Sequence, residues 1–195
     1  MTDQPTAVDL DSADLAWGEH QIAGAEKPAG IVMLRANPEQ GTRTVIVRFP
    51  DGWTRDAVGH QPAGEEMVVL DGALSISGLT CGAGQALVVE PKATRAATST
   101  LDGTRAVVWF SGAGGGWADG EAADAGSTEL LTVDAALSRG PRDGLVGSLA
   151  ARDDVAGAVF GTDVEIVWPG ARRWAFVPAG TATPDVTGLA IIHTF

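Results

Sequence analysis

The sequence has little or none of several features that mark common classes of protein. Its single cysteine, Cys81, excludes an internal disulfide. Tyrosine is absent, and no apolar run approaches the ~20 residues that a membrane-spanning helix needs. Basic residues are also few: 13 Lys and Arg stand against 25 Asp and Glu, giving a formal net charge of −12 and a pI near 4.5. This acidity argues against nucleic acid or an anionic membrane surface as a partner.

The first residues also lack the features of a signal peptide. Residues 1–15 carry acids where a signal peptide carries bases, and they contain no apolar segment. We therefore expect a cytoplasmic location and a loose polar arm over residues 1–14. The expected partner is a small-molecule ligand or substrate, with a homodimer left open.

The residues that are abundant favour short strands. The chain has 195 residues, 45% of them hydrophobic, which is enough to bury a core as one domain or two small ones. Twenty-six glycines and ten prolines separate runs rich in β-branched residues, and no helical period of 3.6 is visible. In one predicted strand, residues 42–49, alternation places Arg43, Val45, Val47 and Phe49 on the same face. The sequence predicts an all-β protein.

The segment Gly52–Gly72 contains the most informative polar residues. It is predicted to form strand, turn and strand, with the turn over Gln61–Gly64 and a buried run over Met67–Leu70. A hairpin there would direct His60 and Glu65 to one interior face. Strand alternation allows only one of Glu65 and Glu66 to face that interior.

This segment resembles the first motif of the cupin superfamily. Gly52, His60, Glu65 and Gly72 match the spacing of that motif, and Gly84 to Ala96 resembles the second motif with one extra residue before Pro91. The resemblance implies a cupin-type jelly-roll barrel. It also implies a metal centre with ligands at Val58, His60, Glu65 and Ala96.

Two of those four positions have lost the ability to bind a metal. A cupin centre needs three imidazoles and a carboxylate that converge on one ion, and neither Val58 nor Ala96 can donate a lone pair. We therefore predict no metal and no cofactor. Replacing Val58 and Ala96 with histidine is predicted to recreate four converging donors.

Composition and a second motif suggest how the chain is divided. Residues 15–112 are predicted to form the cupin barrel, residues 113–127 a Gly-rich acidic linker, and residues 128–195 a smaller, degraded cupin-like half. The evidence for the last is Arg173–Thr183, in which Pro178-Ala-Gly180 matches part of the second cupin motif. The alternative is that these strands complete or cover the first barrel.

The predicted site combines an acid–base pair with an apolar wall. His60 and Glu65 form the pair, since histidine exchanges protons near neutral pH. The ligand-binding wall is predicted to contain Trp53, Met67, Ala96 and Trp109, which suits an apolar or aromatic molecule.

Three functions fit this site. The first is a metal-independent cupin of the isomerase, cyclase or epimerase type. The alternatives are a non-catalytic ligand-binding or sensory cupin, and a metal-dependent cupin oxygenase with unusual ligands.

Overall fold

The computed structural model describes residues 5–195, and within them the prediction of an all-β protein is confirmed. These residues form nineteen strands and no helix, so none of them belongs to a helix that could cross a membrane. The strands are β1 (Val8–Asp9), β2 (Gly18–His20), β3 (Ala29–Asn37), β4 (Thr42–Arg48), β5 (Thr54–Arg55), β6 (Gly59–His60), β7 (Gly64–Asp71), β8 (Ala73–Ile76), β9 (Leu79–Gly82), β10 (Gln85–Val89), β11 (Thr98–Thr100), β12 (Arg105–Ser111), β13 (Ala118–Asp119), β14 (Thr128–Thr132), β15 (Ser138–Arg139), β16 (Ser148–Asp153), β17 (Val164–Trp168), β18 (Arg173–Val177) and β19 (Leu189–Thr194).

The chain divides into two compact units at boundaries that differ from the predicted ones. Among the described residues, one unit contains residues 16–132, and the other contains residues 5–15 and 133–195. The barrel unit continues past residue 112 because β14 pairs with β10. The predicted linker over residues 113–127 contains β13, which pairs with β6.

The N-terminal residues are more ordered than predicted. Strand β1 pairs with β18, placing Val8 opposite Trp174, and the side chain of Leu10 is fully buried. The prediction of a loose arm is therefore wrong for residues 8–10, whose apolar side chains are covered on folding. Residues 1–4 lie outside the described part of the chain.

The barrel unit has two main antiparallel sheets around an apolar interior, as the jelly-roll prediction requires, and a small two-stranded sheet of β6 and β13. The larger sheet has the strand order β14-β10-β7-β12-β4-β3-β2, and the smaller has the order β5-β11-β8-β9. Every second residue of these strands points inward, so both sheets contribute to one core. Its members are Ala29, Val45, Val47, Met67, Val69, Leu74, Ile76, Cys81, Leu87, Val89, Ala93, Ala106 and Val108.

The other unit is a single six-stranded antiparallel sheet with its own core. Its strand order is β1-β18-β17-β19-β16-β15. The buried apolar side chains include Ile166, Trp168, Val177 and Ile192. That this unit is a trimmed copy of a cupin barrel stays a prediction.

The segment Gly52–Gly72 is not a hairpin. Strand β5 pairs with β11, β6 pairs with β13, and β7 pairs with β10 and β12. The two strands before the turn at residues 61–63 therefore find distant partners instead of β7. Hydrogen bonds in both directions between the backbones of Gly59 and Arg95 lead the chain away from β7.

The buried thiol of Cys81 gives a direct test of the core. Burial raises the pKa of this thiol to about 12, against a weaker lowering by a backbone hydrogen bond from Val69. At neutral pH the folded protein should hold roughly a thousandfold less thiolate than an ordinary cysteine. We expect Ellman's reagent to label Cys81 only after unfolding, whereas rapid labelling of the native protein would contradict the packing.

The raised pKa of Cys81 also makes the stability of the protein depend on pH. The pKa of the Cys81 thiol is higher in the folded protein than in the unfolded chain. Its contribution to the free energy of unfolding is therefore complete below about pH 9 and is lost as the pH rises toward about 12. Urea unfolding of the protein and of Cys81→Ala between about pH 9 and pH 12 measures this contribution. The protein should lose stability more steeply with pH than the variant does.

Candidate functional site

The interior of the barrel unit contains a cavity of about 290 Å³. Most of its wall is apolar, and the polar residues are few. The lining residues are Gln21, Ile22, Ala23, Ile31, Arg43, Val45, Val47, Phe49, Trp53, Arg55, Gln61, Glu65, Met67, Leu74, Ile76, Thr98, Val108, Phe110, Gly115 and Trp117. An apolar cavity with a few polar groups is the usual form of a small-molecule site.

Glu65 faces this cavity, as the motif spacing predicted. It is the second residue of β7, and the alternation of that strand brings Glu65 and Met67 to the cavity wall. Glu66 points to the opposite face and is buried there. The predicted register of the Glu65-Glu66 pair is therefore confirmed.

The Glu65 carboxylate is held by two neighbours. The guanidinium of Arg95 lies 3.4 Å away, measured from Nη2 to Oε1, and the Arg95 side chain is only 1% exposed. The amide of Gln61 donates a hydrogen bond to the same oxygen. The Glu65 side chain keeps 13% of its surface exposed, so it is both fixed in position and accessible from the cavity.

Two arginines other than Arg95 line the cavity, namely Arg43 and Arg55. Arg55 is buried, and its Nη2 donates a hydrogen bond of 3.3 Å to Thr98 Oγ1. Arg43 donates from Nη1 to the carbonyl of Gly112 at 3.1 Å, and its guanidinium lies 4.1 Å from the centre of the Phe110 ring.

Burial makes the positive charges of Arg43 and Arg55 energetically costly. Desolvation lowers the pKa of Arg55 to about 10, opposed by the negative charge of Glu65 and reinforced by the positive charge of Arg95. Desolvation likewise lowers the pKa of Arg43, again opposed by Glu65. Both groups stay protonated at neutral pH, so the polar wall of the cavity carries positive charge.

His60 does not face the cavity, which corrects the predicted acid–base pair. It is absent from the cavity wall, and its Nδ1 lies 3.0 Å from the carbonyl oxygen of Gly120. The cause is the pairing of β6 with β13, which places His60 opposite Ala118. His60 therefore does not join Glu65 in the cavity wall.

Two of the four residues predicted for the apolar wall line the cavity, and the other two do not. Trp53 and Met67 line the cavity, and Trp53 is fixed by a hydrogen bond of 2.9 Å from Nε1 to the carbonyl of Lys27. Trp109 lies opposite Glu66 in β7 and faces away, because Val108 and Phe110 are the inward residues of β12. Ala96 also lies outside the wall, where its backbone amide donates to Ser77 Oγ at 3.1 Å.

The sequence reasoning missed the arginines and Trp117. Arg43 carried a visible signal, since it shares a strand face with Val45, Val47 and Phe49, and all four line the cavity. A charged residue on an otherwise apolar strand face is a useful indicator of a residue that lines an interior cavity. Arg95 and Trp117 gave no comparable signal, because their positions depend on contacts far away in sequence.

Comparison with solved structures identifies the fold. A candidate dioxygenase from Nostoc punctiforme superimposes with a TM-score of 0.70 at 11% identity, covering 100% of this chain and 84% of that one. A candidate glyoxylate-induced protein from Pseudomonas aeruginosa gives 0.55 at 8% identity, covering 98% and 88%. A Pseudomonas syringae protein of unknown function gives 0.54 at 14% identity, covering 98% and 100%.

The chain has the cupin fold. No family model matches the sequence, and no curated protein matches it either. Because the identities are low, the structural likeness extends to the fold and not to the chemistry.

The residues present do not fit a cupin metal centre. Of the four ligand positions, Glu65 alone faces the cavity, Val58 is 46% exposed, and neither Val58 nor Ala96 lines the wall. Arg95 already supplies a cation beside the Glu65 carboxylate. Among residues 5–195, no three His, Cys, Asp or Glu side chains meet in an arrangement that could hold a metal ion. Histidines at positions 58 and 96 are therefore not expected to create a site.

Proposed function

We propose that this cupin binds a small, largely apolar or aromatic molecule in the barrel cavity without using a metal. The observation that carries the proposal is the apolar cavity, whose wall includes the rings of Phe49, Trp53, Phe110 and Trp117. Rings on a concave wall provide large contact areas with little loss of conformational entropy. Ligand binding without catalysis, as in a ligand-binding or sensory cupin, requires only such a cavity.

A second candidate function is acid–base catalysis of the isomerase, cyclase or epimerase type. It is favoured by one observation: among the described residues, Glu65 is the single carboxylate in the cavity wall, and it remains partly accessible. In that reaction Glu65 would remove a proton from the bound molecule and return it at another position. Since His60 lies elsewhere, Glu65 would act without a histidine partner. Turnover of a ligand by the protein but not by Glu65→Gln, with binding retained, would distinguish catalysis from binding.

Filling the cavity tests the proposed binding. We expect Val108→Trp to abolish binding of single-ring aromatic fragments, because Val108 lines the cavity in the middle of β12. The change should cost little stability, since the new ring enters open space. Fragment binding can be followed by fluorescence of the cavity tryptophans, and stability by thermal unfolding.

The neighbouring residue supplies a matched control. Val107 is fully buried but does not line the cavity, so Val107→Trp should destabilise the protein by ~1–3 kcal/mol through overpacking. Ala96→Trp, outside the wall, should leave fragment binding unchanged. Unaltered binding in Val108→Trp would contradict the assignment of this cavity as the ligand site.

A further inference from the structure

The polar part of the cavity contains more positive than negative charge. Arg43 and Arg55 lie in the cavity wall, and Arg95 lies beside Glu65, which among the described residues is the only acidic one in that wall. These four side chains together carry an excess of two positive charges. The protein as a whole has a formal net charge of −12, so this excess is a local property of the cavity. Buried charges that lack a counter-charge are costly, and proteins normally pair them.

Arg55 has an unsatisfied, buried hydrogen-bond donor. Its side chain is 94% buried, its Nη2 is bonded to Thr98, and its Nε has no hydrogen-bond partner among the described residues. The guanidinium is held in place from a further direction by Trp117, whose ring centre lies 4.8 Å from Cζ. A restrained guanidinium that lines a cavity and has an unsatisfied N–H is suited to a planar anion such as a carboxylate.

Arg43 adds a second positive charge to the same cavity. One of its nitrogens is bonded to the Gly112 carbonyl and its guanidinium lies over Phe110, which restrains it without neutralising it. Glu65 offsets these two charges only in part, because its carboxylate is already paired with Arg95 and bonded to Gln61. An anionic group on the ligand would compensate the remaining charge.

The rest of the wall limits what that anion can be attached to. Beyond the polar residues, the lining is aliphatic and aromatic, with Phe49 and Trp53 in ring contact at 4.7 Å between centroids. The volume of about 290 Å³ is at the small end of ligand pockets, which run from roughly 300 to 1,000 Å³. A small molecule with one ring and one carboxylate satisfies both parts of the wall.

We propose that the cavity binds a small aromatic monocarboxylate, with the carboxylate on the guanidinium of Arg55 and the ring against the apolar wall. Arg43 strengthens the binding through its charge. This assignment rests on the proposed function, which makes the cavity a ligand site, and it adds the chemical class of the ligand.

The test compares two probes of similar shape and different charge. Isothermal titration calorimetry of the full chain with benzoate and with benzyl alcohol should show benzoate binding about ten- to hundredfold more tightly. In Arg55→Gln this preference should disappear, and in Arg55→Lys it should fall, because lysine keeps the charge but not the planar fork. Arg152→Gln removes the same charge from an exposed arginine near a phenylalanine ring, and it should leave the preference unchanged.

The outcomes separate this assignment from the proposed function. Equal binding of benzoate and benzyl alcohol by the unaltered protein would overturn the carboxylate assignment and leave the cavity a ligand site. Absence of binding by both probes at millimolar concentration would overturn both proposals. A preference for benzoate that survives in Arg55→Gln, with the variant shown to be folded by circular dichroism, would overturn the role of Arg55. The comparison of benzoate with benzyl alcohol in the unaltered protein does not depend on the folding of any variant.

Discussion

Replacing Glu65 with glutamine is expected to destabilise the barrel unit by about 3–5 kcal/mol, the usual cost of removing one partner from a buried ion pair. The reason is that Arg95, which is 1% exposed, would lose the carboxylate 3.4 Å from its guanidinium. Arg43 and Arg55 would at the same time lose the negative charge that opposes the lowering of their pKa. Urea unfolding at pH 7, followed by tryptophan fluorescence, measures the change.

A double variant separates the charge from the packing. Glu65→Leu combined with Arg95→Met removes both charges and keeps similar volumes, and it should recover most of the stability that Glu65→Gln loses. A surface pair gives the comparison: Asp71→Asn breaks the contact of 2.7 Å between Arg105 and Asp71, which is partly exposed, and should cost about 1 kcal/mol or less. Equal stability of Glu65→Gln and the unaltered protein would mean that Glu65 does not compensate the arginines.

Replacing Gly147 with alanine is expected to destabilise the six-stranded unit by about 2–5 kcal/mol. Gly147 has a φ of +71°, and a Cβ there would lie 1.7 Å from the carbonyl oxygen of Thr194. That oxygen belongs to β19, the strand that pairs with β16 just after Gly147, so the two strands would have to separate. The left-handed conformation costs about 1–2 kcal/mol by itself, and overpacking adds ~1–3 kcal/mol.

Gly157 provides the matched control in the same unit. Its φ is +70°, nearly the same as that of Gly147, but a Cβ there would meet no atom within 4 Å. Gly157→Ala should therefore lose only the conformational part, about 1–2 kcal/mol. Chemical denaturation of both variants gives the difference between them. Equal losses would show that the β19 backbone moves aside at no cost.

Alternation along single strands was readable from the sequence. The residues Arg43, Val45, Val47 and Phe49 share the cavity face of β4 and its end, and Glu65 rather than Glu66 faces the cavity. Both results follow from the two-residue period of a strand, which is a local property of the chain. The cupin motif also depends on local spacing, and the fold it implied is the one observed.

Pairing between distant segments could not be read in this way. The direction of His60 depends on β13, which begins at Ala118, and the boundary of the barrel unit depends on β14 reaching β10. Strand β1 pairs with β18, more than 160 residues later in the chain. A short polar segment has few apolar side chains to reveal which distant strand it will join.

The sequence by itself determined that the protein is all-β, that its barrel is of the cupin type, and that Glu65 faces the interior. Tertiary structure decided the electrostatics of the cavity. Arg95 is buried against Glu65 because Gly59 and Arg95 exchange backbone hydrogen bonds, and Arg55 meets Thr98 because β5 pairs with β11. Charges brought together by long-range pairing interact strongly only after folding has removed the water between them. For that physical reason the charge of the site depended on the fold.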